Sequence, residues 1–162
     1  MLVWFAVVAM VLVAEIFQSP MVDYRMVALG AVLPLIEVLI GRPIFLHTLA
    51  APVLLLCVVM AATTGRRLVR RRFLGLPIGL FLHLVLDATW ANTKLFWWPA
   101  LGFDLGGEQT PEQANGLVVA VLLELVGIAV AVWAYRRYGL ARPDLRRRFL
   151  TTGQLDRSVL SS

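Results

Sequence analysis

With 162 residues the chain is long enough for one soluble domain, but 60% of it is hydrophobic and its mean hydropathy is +0.81, above the roughly 45–50% apolar share of soluble domains. The net charge of +5 comes from arginines set beside apolar segments without interleaved aromatics, which argues against a nucleic-acid partner and for anionic lipid headgroups. The single cysteine, Cys57, rules out an intramolecular disulfide.

The apolar residues come in runs near the length needed to cross a bilayer, about 20 helical residues. The alternating pattern of a barrel is missing. The expectation is an all-α integral membrane helical bundle of about five short transmembrane helices. Leu2–Phe17 has neither a positive flank nor a small-residue cleavage site, and reads as a retained helix. Arg25–Ile40 and Ile44–Thr63 follow, joined by Gly41-Arg42-Pro43 and carrying Pro34 and Pro52, each expected to kink or break its helix. Cys57 sits in the second of these apolar runs, as a packing residue. Phe73–Trp90 is the fourth segment. Lys94–Pro111, with Trp97, Trp98, Pro99, Gly102, Gly106 and Gly107, reads as a Trp-rich outer loop at headgroup level. Gly116–Tyr135 is the fifth segment. The organisation is a transmembrane domain over 1–138 and a polar, basic, loosely ordered tail over 139–162.

Arginine placement orients the bundle. Arg66, Arg67, Arg70, Arg71 and Arg72 fill the link between the third and fourth segments, and Arg136, Arg137, Arg142, Arg146, Arg147 and Arg148 follow the fifth. Both belong on the cytoplasmic side. The chain is therefore expected as a multi-pass protein of the cell membrane, N-terminus outside and C-terminus cytoplasmic. Asp104, Glu108 and Glu112, opposed only by Lys94, lie in the outer loop.

An ionisable side chain in hydrocarbon costs at least about 2.5–3.5 kcal/mol on insertion scales, so each needs a partner or a function. Glu37, His47, His83 and Asp87 all fall near the outer ends of their segments, with His83 and Asp87 spaced i, i+4 on one helical face. Two imidazoles and two carboxylates at one depth suit zinc or another divalent transition metal with a position left for water. The alternative is an intrahelical His83–Asp87 pair, with Glu37 and His47 merely interfacial. Glu124 reaches similar depth as a further ligand, a base, or a carboxylate satisfied by a hydroxyl. Glu15, Asp23 and Arg25 lie at the inner boundary, where ion pairing explains them. Thr48 and Thr89 neighbour the ligands, although membrane threonines usually bond their own backbone.

At these residues the sequence resembles the YdjM-like family of predicted membrane-bound metal-dependent hydrolases, over about residues 23–102. Gly79-Leu80-Phe81-Leu82-His83-Leu84-Val85-Leu86-Asp87-Ala88-Thr89 looks like its His-x-x-x-Asp helix, with Phe96-Trp97-Trp98-Pro99 matching the aromatic, Pro-containing stretch that follows. Leu46-His47-Thr48 is similar to its Thr-His-Ser element, and Leu33-Pro34-Leu35-Ile36-Glu37 stands at its Pro-Asp-aliphatic-Asp element. Leu35 replaces the first acidic residue of that element, and Gly41-Arg42-Pro43 lacks the histidine of the family's His-Arg element. The resemblance therefore implies hydrolase chemistry at a one-metal site.

The resulting expectation is a hydrolase whose outward-facing site binds one divalent metal ion, zinc foremost, through His47, His83 and Asp87, with Glu37 as fourth ligand or general base. Lys94 or Arg42 would stabilise developing negative charge. An opening at headgroup depth makes a phosphoester of a lipid or lipid-linked molecule the accessible substrate, and membrane lipids the surroundings. The alternative is a non-catalytic scaffold or accessory subunit that binds a membrane protein partner or anionic lipid.

Overall fold

The computed structural model describes residues 1–160 apart from Arg42, Ile44 and 104–108, together with all their side chains except those of Glu112 and Gln113. The expected charge-stabilising role of Arg42 and the outer-loop charges of Asp104, Glu108 and Glu112 lie outside the described residues. What is described is all-helical, with no strand.

The apolar runs form α1 (Leu2–Phe17), α2 (Tyr24–Val32), α3 (Leu35–Ile40), α4 (Ala50–Ala62), α5 (Arg67–Phe73) and α6 (Gly75–Leu86). A 3-10 turn over Thr89–Ala91 leads to α7 (Thr93–Phe96), α8 (Pro111–Ala114), α9 (Gly116–Arg137), α10 (Pro143–Thr152) and α11 (Arg157–Leu160). Proline position explains several boundaries. Pro34 separates α2 from α3, as expected of a residue with no N–H to donate. Pro52 and Pro77 instead fall in the first turns of α4 and α6, where the N–H would have no intrahelical acceptor, so neither kinks its helix. The expected third segment is thus shorter than its apolar run. Residues 45–49 form turns, and His47 stands on them rather than on a helix.

Helices α2 and α6 run side by side at backbone contact. A Cβ on Gly79 would lie 2.0 Å from the Val27 carbonyl oxygen, and one on Gly30 would lie 2.1 Å from that of Leu76. Glycine alone allows this approach. The crossing carries the Gly75-x-x-x-Gly79 spacing by which membrane helices commonly pack. Helix α1 covers the pair and also packs on α9, where Gly127 meets the backbone of Trp4.

The tail corrects the expectation of loose order. Its apolar residues Leu155, Val159 and Leu160 are buried with Tyr24 and Tyr138, and Leu145 and Phe149 of α10 pack against them. Hydrogen bonds to its backbone carbonyls stitch it down. The N–H of Tyr24 donates to the Gly153 carbonyl at 2.8 Å, Arg25 Nη1 donates to Leu150 O at 2.7 Å, and Arg137 Nη1 donates to Val159 O at 3.0 Å. Beyond the span of α9, burial and a hydrogen bond to Glu15 raise the Tyr138 phenol above its usual range.

Polarity is distributed unusually. Large apolar residues face outward along α1, α3, α4 and α9, with Leu39 and Leu117 88% and 80% exposed. Cys57, read as a packing residue of its apolar run, is exposed on α4. Meanwhile Glu37, His47, Thr48, His83, Asp87 and Thr89 are buried. Among the described residues one helix, α9, is long and apolar enough to cross a membrane, and only 11% of its apolar window is buried. Helices α1 and α4 are apolar but shorter.

Candidate metal centre

The parallel run of α2 and α6 sets the first half of the site. Because Gly79 lets the backbones touch, the Ala31 carbonyl on α2 reaches His83 one turn further along α6, with Nδ1 and the oxygen 2.6 Å apart. A ring nitrogen that close to a carbonyl oxygen must carry the proton, so in the neutral imidazole the lone pair sits on Nε2. The Phe5 ring of α1 lies against the His83 ring, centroids 4.0 Å apart.

The second half is built by Glu37. One turn before the left-handed Gly41 that ends α3, its Oε1 accepts the N–H groups of Phe45 and Leu46, both at 2.6 Å. Those two bonds shape the turn on which His47 stands. Oε2 accepts from His47 Nδ1 at 2.8 Å. The carboxylate thereby satisfies two backbone donors and fixes the same tautomer in His47 as the carbonyl fixes in His83. Rings of the two histidines meet edge to face, centroids 5.3 Å apart.

Asp87 closes the group. It caps the C-terminus of α6, one turn beyond His83, so the i, i+4 spacing does put both side chains on one face. Ala88 then adopts a left-handed conformation, φ 58°, rare for a residue with a Cβ. This reverses the chain so that the buried Thr89 hydroxyl donates to Asp87 Oδ2 at 2.9 Å. Thr48, in contrast, bonds its own backbone at Phe45 O.

Ligand atoms of His47, His83 and Asp87 all lie within 4.8 Å of one another, and all three residues are buried. In a tetrahedral site they would stand about 3.3 Å apart, as metal–ligand bonds of about 2.0–2.1 Å require. The three residues could hold a metal ion: two imidazoles and one carboxylate, with an acceptor at Nδ1 of each ring. Such outer carboxylate and carbonyl partners accompany nearly all metal-binding histidines.

Glu37 is not among the three gathered residues and stands behind His47 instead. Glu124 is also elsewhere, accepting from the N–H groups of Val3 and Trp4 at 3.1 and 3.3 Å, at the open end of α1. Lys94 is exposed and lines a cleft of ≈ 710 Å³ with Asp87, Asn92, Gln109 and Asn115. Asp23, expected to be paired, is bound by Arg25 Nη2 at 3.0 Å and Arg72 Nε at 3.2 Å. Sequence reasoning missed Ala31, which acts through its carbonyl and so leaves no trace in residue type. The Gly75-x-x-x-Gly79 spacing was the available signal for the close crossing that brings that carbonyl to His83.

No family model, curated protein or solved structure matches this chain.

Proposed function

We propose that this chain is a multi-pass membrane hydrolase that binds one divalent metal ion, zinc foremost, at its outer end and cleaves a phosphoester of a lipid or lipid-linked substrate. The observation that carries it is the convergence of His47, His83 and Asp87, each ring held at Nδ1 by an acceptor. An acceptor at Nδ1 of each ring puts the lone pair of the neutral imidazole on Nε2, the form in which a histidine binds a metal.

Membrane embedding is supported by the inverted polarity. Soluble monomers rarely expose contiguous apolar patches beyond a few hundred Å², whereas here apolar side chains face outward and ionisable ones face inward. The arginines of α5 precede α6, and its buried histidine, His83, stands beyond Gly75 at its start by about 12 Å of helix. With the basic end cytoplasmic, the histidines belong to the outer half. The resemblance to YdjM-like hydrolases rests on the same residues.

A bound divalent ion would supply Lewis-acid polarisation of a phosphoryl oxygen and a more acidic water. The chain's own parts do the rest. Glu37 and Ala31 hold the imidazoles in register, and Thr89 orients the Asp87 carboxylate. Lys94, on the rim of the cleft that Asp87 opens into, meets a phosphate electrostatically. Asn92, Gln109 and Asn115 line that cleft with neutral donors and acceptors for a polar headgroup.

The test is metal content of the detergent-purified protein, alongside release of headgroup or phosphate from lipid phosphoesters. Wild type should carry about one equivalent of metal. His83→Ala and Asp87→Asn should lose both metal and activity. Equal metal in all three, or none in any, sinks the centre. Metal that depends on His83 and Asp87, with no hydrolysis of any lipid phosphoester, overturns the enzymatic reading in favour of a non-catalytic scaffold.

A further inference from the structure

At the opposite end of α6 lies a second polar cavity that the metal centre does not use. It measures ≈ 290 Å³ and is lined by Asp23, Arg25, Arg71, Arg72, Thr152 and Gln154, among others. Three guanidinium groups face one carboxylate there. Arg25 is fully committed, through Nε and Nη2 to Asp23 and through Nη1 to Leu150 O. Arg72 is anchored to Asp23 by Nε alone, which leaves its two terminal nitrogens for another acceptor. Arg71 makes no hydrogen bond or ion pair with any described residue. The cavity thus carries two units of positive charge beyond what Asp23 neutralises, in a form suited to oxyanions.

A second cavity of ≈ 320 Å³ shares Met21 and Arg71 with the first and continues along the start of α6, where Val22, Leu74 and Ile78 line it. A basic chamber beside an apolar one, with Met21 and Arg71 lining both, matches an amphiphile with a charged head and a hydrocarbon tail. Free phosphate would use only the first chamber.

We propose that this inner end is a binding site for an anionic phospholipid, its phosphate between Arg71 and Arg72 and the start of an acyl chain along Val22, Leu74 and Ile78. The tail residues Thr152 and Gln154 form one wall, so the lipid ties the docked tail to the bundle. This site is independent of the metal and of any hydrolysis.

The experiment is lipid binding to the full-length protein in neutral detergent by native mass spectrometry, with dimyristoyl phosphatidylglycerol as probe. Dimyristoyl phosphatidylcholine, dihexanoyl phosphatidylglycerol and inorganic phosphate serve as comparisons. Arg71→Gln breaks no bond among the described residues, so it should leave the fold intact and weaken phosphatidylglycerol binding about tenfold or more, the effect of one charge-assisted contact. Arg66→Gln, which removes the same charge just before α5, should change binding by less than about threefold. His83→Ala should leave binding unchanged. Equal losses for Arg66→Gln and Arg71→Gln would reduce the effect to diffuse attraction and overturn the site. Equal binding of phosphatidylcholine, or of the dihexanoyl lipid or phosphate, would overturn the lipid assignment.

Discussion

Replacing Glu37 by glutamine tests the centre most sharply, because the change keeps shape and removes one acceptor. In the native structure one oxygen accepts from Phe45 and Leu46 N–H at 2.6 Å each and the other from His47 Nδ1 at 2.8 Å. Glutamine has one oxygen and one NH₂, so it must choose. Facing the oxygen to His47 would oppose the NH₂ to two buried N–H groups, at about 1–3 kcal/mol for each donor left unsatisfied. Facing it to the backbone costs no hydrogen bond, provided that His47 gives up its Nδ1 proton and accepts from the NH₂. The second arrangement wins by about 2–6 kcal/mol on that count. It moves the proton to Nε2, the nitrogen that should hold the metal. Glu37→Gln is therefore expected to fold with a loss of about 1 kcal/mol, the difference between a charged and a neutral acceptor. Its metal affinity should fall by about 10–100-fold, as for other outer-sphere changes. Competition with a chromophoric chelator measures the affinity, and ¹⁵N spectra of labelled histidine read the tautomer. A variant that keeps wild-type affinity with His47 still protonated at Nδ1 would refute the reasoning.

Two other substitutions probe the scaffold. Gly79→Ala puts a methyl group 2.0 Å from the Val27 carbonyl oxygen, so α2 and α6 must part by about 1 Å, at about 1–3 kcal/mol for an overpacked contact. The same separation stretches the His83–Ala31 bond, so metal affinity should fall along with the thermal midpoint in detergent; an unchanged midpoint would mean that the helices do not touch there. Thr89→Val removes the hydroxyl on Asp87 Oδ2 while keeping volume, and should lower metal affinity about tenfold with little change in that midpoint. If stability drops and affinity does not, Thr89 serves the turn rather than the ligand.

Composition and the length of the apolar runs were enough to read an all-helical chain, because a helix satisfies the backbone of such a run within the segment. The i, i+4 spacing of His83 and Asp87 was also legible, since both belong to one helix and its geometry is local. Pro34 announced its break, but Pro52 did not kink anything; proline's effect depends on its distance from the helix start, which tertiary bonds to Glu37 decided. Those bonds hold Phe45 and Leu46 in turns ahead of α4, which begins only at Ala50, and apolar residues alone carry no record of them. The tail's order was hidden in the same way: Leu155, Val159 and Leu160 are too few and too scattered to signal a core, yet they complete one against Tyr24 and Tyr138.

What the sequence determined by itself was which side chains are too costly to leave in an apolar environment without partners, and so where chemistry was to be sought. Only the tertiary structure decided their roles. Glu37 and Asp87 are both carboxylates near the ends of apolar segments, but one stands behind a histidine and the other beside it. The difference arises from a close glycine crossing, a left-handed Ala88 and a turn closed on Glu37, all of them contacts between distant residues that no local pattern encodes.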